Sequence, residues 1–362
     1  MMITNPRPIE SQSQRAFRTD AARPLSMLAQ CPVYQPSPLD RMPELAAHLG
    51  LGAVWIKDET QRMRLGSFKA LGGVFAVAQM IRDAAGVDDF AAATARACAA
   101  QMTFITASAG NHGLSVAAGA RIFGAHSVVV LDGAVPEGFA ARIRALGAKV
   151  RRVAGSYEDA VAYASAAAAA NDWILLADGS WPGYVDRPAL VMEGYSVLAE
   201  ECRRTFSDRD TWPSHVFIQA GVGGLAASLA GHIRDNWAVQ PVIVVVEPDS
   251  AACLMQSVRA GRLTRAEGVA SAMGRLDCKD ASLIAFDALW QDADAFTTVT
   301  DDQAKDAVAL YARHGIDTTP SGAAPLAALA AADLDSDSRC LIIATEGPAG
   351  GRPATADRSD EQ

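Results

Sequence analysis

Short apolar runs alternate along this chain with longer, alanine-rich stretches of helical spacing. Runs at 53–57, 103–106, 127–131, 149–153, 173–177, 215–219, 241–247 and 340–344 are rich in Val, Ile, Phe and Trp. Turn-forming residues bound them, as expected of buried strands. The stretches at 41–49, 68–82, 136–146, 156–170, 190–206, 251–261, 301–314 and 323–331 read as helices. So does an Ala-rich stretch ending near 123, and another that follows the glycines at 221–224. Residues 83–101 read as a loop or a further helix, residues 1 to about 39 as an irregular arm, and the tail 349–362 as disordered. Strand and helix in alternation predict an α/β fold, with a parallel sheet covered by helices on both faces.

Composition sets the scale. The chain has 362 residues, half of them hydrophobic. That is more than one core holds, since single cores stop growing at about 250–300 residues, so two lobes are expected. The net charge of -9 and absence of a basic stripe argue against nucleic acid and anionic membrane as partners. No apolar run is long enough to span a bilayer, and residues 1–26 lack the apolar core of a secretory signal. The six cysteines are scattered, with neither CxxC nor His at zinc spacing. The expectation is a reduced, cytoplasmic protein without a metal site.

Candidate chemistry falls at strand-to-helix turns. Lys69 is the one basic residue between 65 and 81, among Gly66, Ser67, Phe68, Ala70, Gly72 and Gly73. Lost hydration lowers the pKa of such an ammonium and frees its lone pair, which suits a Schiff-base lysine. A surface lysine opening a helix fits the same letters. Gly221-Val222-Gly223-Gly224 offers backbone N–H groups to a phosphate at a helix N-terminus, or is a tight structural turn. It is not a Walker loop, and GxGxxG is not met. Ser108-Ala109-Gly110-Asn111-His112-Gly113 suits a carboxylate, or is a capped helix start. Asp178 and Thr345 each follow a strand end, where ligands gather in open α/β sheets, although both residue types also serve in caps and turns.

Taken in order, Gly-Ser-Phe-Lys, Ser-Ala-Gly-Asn-His-Gly, the Gly-rich loop, Val-Glu-Pro, Ser-Gly-Ala and Thr-Glu-Gly resemble the fold-type II pyridoxal 5'-phosphate enzymes, the tryptophan synthase β and threonine dehydratase superfamily. The resemblance runs from about 54 to 347. Lys57-Asp58-Glu59, Phe68-Lys69-Ala70-Leu71-Gly72-Gly73, Asp178-Gly179-Ser180-Trp181-Pro182-Gly183-Tyr184 and Gln219-Ala220-Gly221-Val222-Gly223 bring it nearest to the diaminopropionate ammonia-lyases.

The resemblance implies a two-lobed fold, with 1–87 and 177–362 as the large cofactor-binding domain and 88–176 as the small one. It implies pyridoxal 5'-phosphate held covalently by Lys69, its phosphate on Gly221, Val222, Gly223 and Gly224, its ring contacted by Phe68, Asn111 and Thr345. Ser108, Ala109, Gly110 and His112 belong to the loop that clasps the substrate carboxylate. A homodimer is implied as well. Family members that accept both enantiomers of diaminopropionate carry two acids; this chain has Ala109 at one position and keeps Asp178 at the other. The expected reaction is β-elimination from a small L-amino acid, foremost 2,3-diaminopropionate, or alternatively L-serine or L-threonine, with Lys69 or Asp178 taking the α-proton. A dinucleotide-dependent oxidoreductase is the rival from another class, and lacks its early glycine fingerprint here. A non-catalytic amino-acid-binding relative is a third reading, against which Lys69 counts.

Overall fold

The computed structural model describes residues 2–6, 15–108, 110–133 and 135–348. Ala109 and the tail 349–362 lie outside the described residues. In chain order the strands are β1 (Met2–Thr4), β2 (Leu39–Arg41), β3 (Ala53–Asp58), β4 (Thr103–Ala107), β5 (His126–Asp132), β6 (Lys149–Val153), β7 (Ile174–Leu175), β8 (His215–Gln219), β9 (Val242–Pro248), β10 (Ala295–Val299) and β11 (Arg339–Ala344). The helices are α1 (Ala22–Leu28), α2 (Pro43–Leu49), α3 (Lys69–Ala85), α4 (Ala93–Ala99), α5 (Asn111–Phe123), α6 (Glu137–Ala145), α7 (Tyr157–Asn171), α8 (Asp186–Arg209), α9 (Gly224–Asn236), α10 (Cys253–Ala260), α11 (Leu283–Asp292), α12 (Asp301–Arg313) and α13 (Pro320–Ala330).

Two sheets result. The larger runs β1-β10-β9-β8-β11-β3-β2 and the smaller β6-β5-β4-β7. The smaller is parallel throughout. In the larger, β10, β9, β8, β11 and β3 are parallel, while β1 and β2 add antiparallel edges. Strand periodicity divides the core. Trp55, Val216, Ile218, Ile243, Val245, Leu341 and Ile343 face α3, α8, α9 and α11, whereas Val54, Ile56, Phe217, Val244, Val246 and Ile342 face α2, α12 and α13. In the smaller sheet, Val129 and Leu131 pack on α5 and α6, and Ile105, Val128 and Val130 on α7. The α/β plan with helices on both sheet faces is therefore as expected.

Three expectations need correction. The segment before residue 39 is not irregular throughout: it supplies edge strand β1 and helix α1. Helix α8 is longer than the apolar pattern implied, starting at Asp186 because Pro188 is tolerated in a first turn. Helix α11 and strand β10 form where no element was expected. Leu283–Asp292 is apolar nearly all round, so it lacks the two-faced pattern of a surface helix.

Candidate active site

Every described candidate site residue lies at or just beyond the C-terminal end of a parallel strand, or at the start of the helix that follows. Lys69 opens α3 on the connection from β3, Ser108 follows β4, Asp178 follows β7, the glycines follow β8, and Thr345 follows β11. Backbone polarity and loop divergence make this end of a parallel sheet the place where ligands collect.

Lys69 and Asp178 meet at the centre. The Lys69 Nζ donates to Asp178 Oδ2 at 2.5 Å, with both side chains about four-fifths buried. Burial, the largest single influence, would lower the lysine pKa, but the charge and hydrogen bond of Asp178 together with Tyr195 outweigh it and hold the ammonium above its ordinary value. Asp178 is correspondingly held below the usual carboxylate range: burial opposes ionisation, and Lys69 more than compensates. The sequence-based expectation of a lysine lowered by apolar neighbours is thus reversed, because the decisive neighbour is remote in sequence.

Aromatic rings frame the ammonium. Nζ lies 5.3 Å from the Phe68 ring centroid and 5.7 Å from that of Tyr195, and the two rings meet edge to face. Tyr195 comes from the middle of α8, and no motif pointed to it. Glycines make room for it. A Cβ on Gly72 would collide with the Tyr195 ring and lie 2.6 Å from the Val191 carbonyl oxygen; one on Gly194 would lie 2.6 Å from Leu71 O. Helix-interior glycines cost stability, so such a pair was the available sign of close helix approach.

The glycine turn closes one side. Gly223 has φ +101, a conformation that favours glycine, and α9 starts beyond it with no side-chain cap. The leading N–H groups of a helix have no intrahelical partners, and an uncapped end of this kind suits an anion. A Cβ on Gly224 would be 3.8 Å from Asp178 O, which places this end beside the Lys69–Asp178 pair. Val222 O accepts from Ser282 N, and the Ser180 and Ser282 hydroxyls hydrogen-bond at 2.7 Å, so the loop after Asp178 is tied to the glycine turn.

Further groups of the site follow β4 and β11. Ser108 Oγ accepts from the N–H groups of Gly110 and Gly113, at 3.1 and 2.9 Å, and so braces the α5 start. Ala109 lies outside the described residues. His112 is buried. The Leu176 carbonyl, 2.8 Å from Nε2, can only accept, so Nε2 carries the proton and the Nδ1 lone pair is buried without a partner among the described residues. Burial holds this imidazole below its ordinary pKa. Asn111 donates to Glu346, whose other oxygen accepts from Thr319 Oγ1 at 2.6 Å. Burial raises the Glu346 pKa. Gln219 donates to Thr345 Oγ1 at 2.9 Å and to Ile343 O at 3.1 Å. The carbonyl fixes which end of that amide is nitrogen, so Thr345 accepts from Gln219 and keeps its own proton to donate elsewhere.

The chain belongs to the family of pyridoxal-phosphate dependent enzymes, whose model matches residues 31–346. Among curated proteins it is similar to the diaminopropionate ammonia-lyase of Salmonella typhimurium, 32% identical over 354 residues that cover 89% of this chain and 88% of that one. It is also similar to the biosynthetic L-threonine dehydratase of Mycobacterium leprae, 28% identical over 320 residues, covering 86% of this chain and 68% of the other. Among solved structures, the holo diaminopropionate ammonia-lyase of Escherichia coli matches with a TM-score of 0.86 at 26% identity, covering 96% of this chain and 94% of that chain. The chain is a fold-type II, pyridoxal-phosphate-dependent lyase with ammonia-lyase activity.

The site fits that cofactor. It holds a buried lysine with an acid beside it, an uncapped helix end reached through a left-handed glycine, and a buried hydroxyl whose proton is left to donate. Tyr195, Gln219 and Glu346, which contact Lys69, Thr345 and Asn111, are neighbours to which the sequence alone assigned no role.

Proposed function

We propose that the chain removes the β-substituent of a small L-amino acid, foremost the β-amino group of 2,3-diaminopropionate. With one water the products are pyruvate and two ammonias. The observation that supports this most is the Lys69–Asp178 pair, set between the open end of α9 and the Ser108–Gly113 loop. Pyridoxal phosphate, when bound, supplies the electron sink that no side chain offers.

The chain's own residues do the rest. Lys69 would hold the cofactor covalently, and the N–H groups of Gly221 to Gly224 its phosphate. Thr345, already accepting from Gln219, would donate its hydroxyl proton to the ring nitrogen; Asn111 and Phe68 would contact the ring. Ser108, Ala109, Gly110 and His112 would belong to the loop that takes the substrate carboxylate. Lys69 and Asp178 form the proton relay. One takes the α-proton and their shared proton stays near the leaving group, which must be protonated to depart as an amine at neutral pH. The reading includes a cytoplasmic homodimer and the division into a small domain, 88–176, and a large one.

A second reading, dehydration of L-serine or L-threonine, draws on the likeness to threonine dehydratase. Release of 2-oxo acid from pure enantiomers tests both. L-substrates should turn over, and D-2,3-diaminopropionate should be slower by about a hundredfold, the scale of a missing general base, because alanine at 109 cannot move a proton. Ala109→Asp should recover part of the D-reaction. Equal rates on both enantiomers in the parent protein would refute the one-acid reading; no oxo acid from any of these compounds would refute the elimination.

A further inference from the structure

Beside Asn111 the site opens into a pocket lined by Arg64, Arg142, Arg275, Phe139 and Glu346. Its charge is one-sided. The Arg275 and Arg142 guanidiniums stand 4.8 and 5.4 Å from the Phe139 ring centroid. They are close enough that Arg142, already disfavoured by burial, is lowered further by Arg275. Arg275 Nε is buried without a hydrogen-bond partner among the described residues, and lies 3.8 Å from Glu346 Oε2. Glu346 is the pocket's one acid among the described residues, and its oxygens are already occupied by Asn111 and Thr319. Like charges gathered in a half-buried site are unfavourable until an anion joins them.

The backbone repeats the message. Met63 and Arg64 hold φ of 49 and 60, a left-handed pair that favours glycine. A buried cluster clamps this turn: Arg62 donates to Glu59 at 2.6 Å and to Glu201 at 2.7 Å, and Lys57 donates to Glu201 at 2.5 Å. Strain of this kind persists where the surroundings over-determine it, commonly at binding sites. Here it places an exposed arginine at the pocket rim. The pocket is also joined to the substrate loop, since a Cβ on Gly110 would lie 3.0 Å from Arg275 Cζ. It is separate from the anion site at α9, which faces Lys69 from the glycine turn.

We infer that this pocket receives a second carboxylate of the substrate. The preferred substrate is then a 2-amino dicarboxylic acid bearing an amine or hydroxyl on its β-carbon, rather than the monocarboxylic parent compound. The inference rests on the β-elimination reading and refines its substrate class. 2,3-Diaminopropionate carries one carboxylate and a cationic β-ammonium. The guanidiniums repel that ammonium, and Ala109 offers no acid to attract it. A carboxylate on the β-carbon reverses the balance, because charge-assisted bonds to arginine are the stronger kind.

The test compares L-serine with L-threo-3-hydroxyaspartate on the holoenzyme; the two differ by that one carboxylate. Oxo-acid release should favour hydroxyaspartate in kcat/KM by about tenfold or more, the scale of one or two charge-assisted hydrogen bonds. The preference ratio should fall about tenfold in Arg275→Met and in Arg64→Gly. The second variant relieves backbone strain, so loss of folding cannot explain its effect. Thermal protection of the holoprotein by succinate, against acetate at equal ionic strength, gives a readout without turnover. Protection by succinate should exceed that by acetate in the parent and vanish in Arg64→Gly. A parent with no preference for hydroxyaspartate overturns the inference. So does an Arg275→Met variant that loses both substrates equally, because the arginine then serves the α-carboxylate. If none of the amino acids turns over, the elimination reading fails. The pocket is then judged on succinate alone: selective protection upholds a dicarboxylate site, and equal protection refutes it.

Discussion

The Lys69 ammonium lies 2.5 Å from the Asp178 carboxylate, across 109 positions of sequence. Each charge sustains the other against burial. Asp178 is depressed, so its contribution to stability is present above the ordinary value of 3.8 and is lost as pH falls below it. Lys69 is raised, so its contribution is present below 10.5 and is lost as pH rises beyond it. Asp178→Asn should leave an uncompensated buried ammonium and cost about 3 kcal/mol near neutral pH. Urea unfolding of the apoprotein at several pH values would check this. The difference from the parent should shrink below about pH 4. A difference that stays constant down to pH 2 would remove the ion pair from the account. In the holoenzyme the same variant should lose about a hundredfold in oxo-acid release if Asp178 is the base.

Gly72 and Tyr195 set how closely α3 and α8 approach. Gly72→Ala should destabilise by about 1–3 kcal/mol or more, because the methyl group meets both the ring and the Val191 carbonyl. Gly138→Ala is the contrast. It lies within α6 with nothing within 4 Å of its Cβ position, and should stabilise by roughly 0.5–1 kcal/mol. Denaturant midpoints of the two variants on opposite sides of the parent are the expected outcome; two equal shifts would remove the glycine contact from the explanation.

Gly223→Asp should release the cofactor. The new Cβ would lie 3.0 Å from Leu254 Cδ1 in a backbone conformation with φ +101, and its carboxylate would stand where the α9 N–H groups await an anion. Pyridoxal-phosphate titration of the apoprotein should show affinity weakened by at least about tenfold, since one anion–dipole interaction reversed in sign suffices for that. Unchanged affinity would make the glycine turn purely structural.

Much of this was legible in the sequence because it is local. Five of the strand runs lead into turns or helix starts carrying chemistry, so Lys69, Ser108, Asp178, the glycines and Thr345 could be picked out before their arrangement was known. What escaped has no local signature. Tyr195 reaches the site from mid-helix through the space left by Gly72, and Arg275 projects from an irregular stretch between α10 and α11. The sign of the Lys69 shift was misjudged for the same reason: hydration loss is readable from apolar neighbours, whereas the countercharge comes from the loop after β7. Edge strand β1 is only three residues long, too short for periodicity to register, and is fixed by pairing with β10 nearly three hundred residues away.

The central claim is that Lys69 carries the cofactor. Borohydride reduction of the purified, yellow holoprotein, followed by proteolysis and peptide mass mapping, tests it most directly. The account predicts a pyridoxyl group on the peptide containing Lys69, and no label or colour fixed in Lys69→Ala. A label on another lysine, or a Lys69→Ala protein that stays coloured and active, would contradict it.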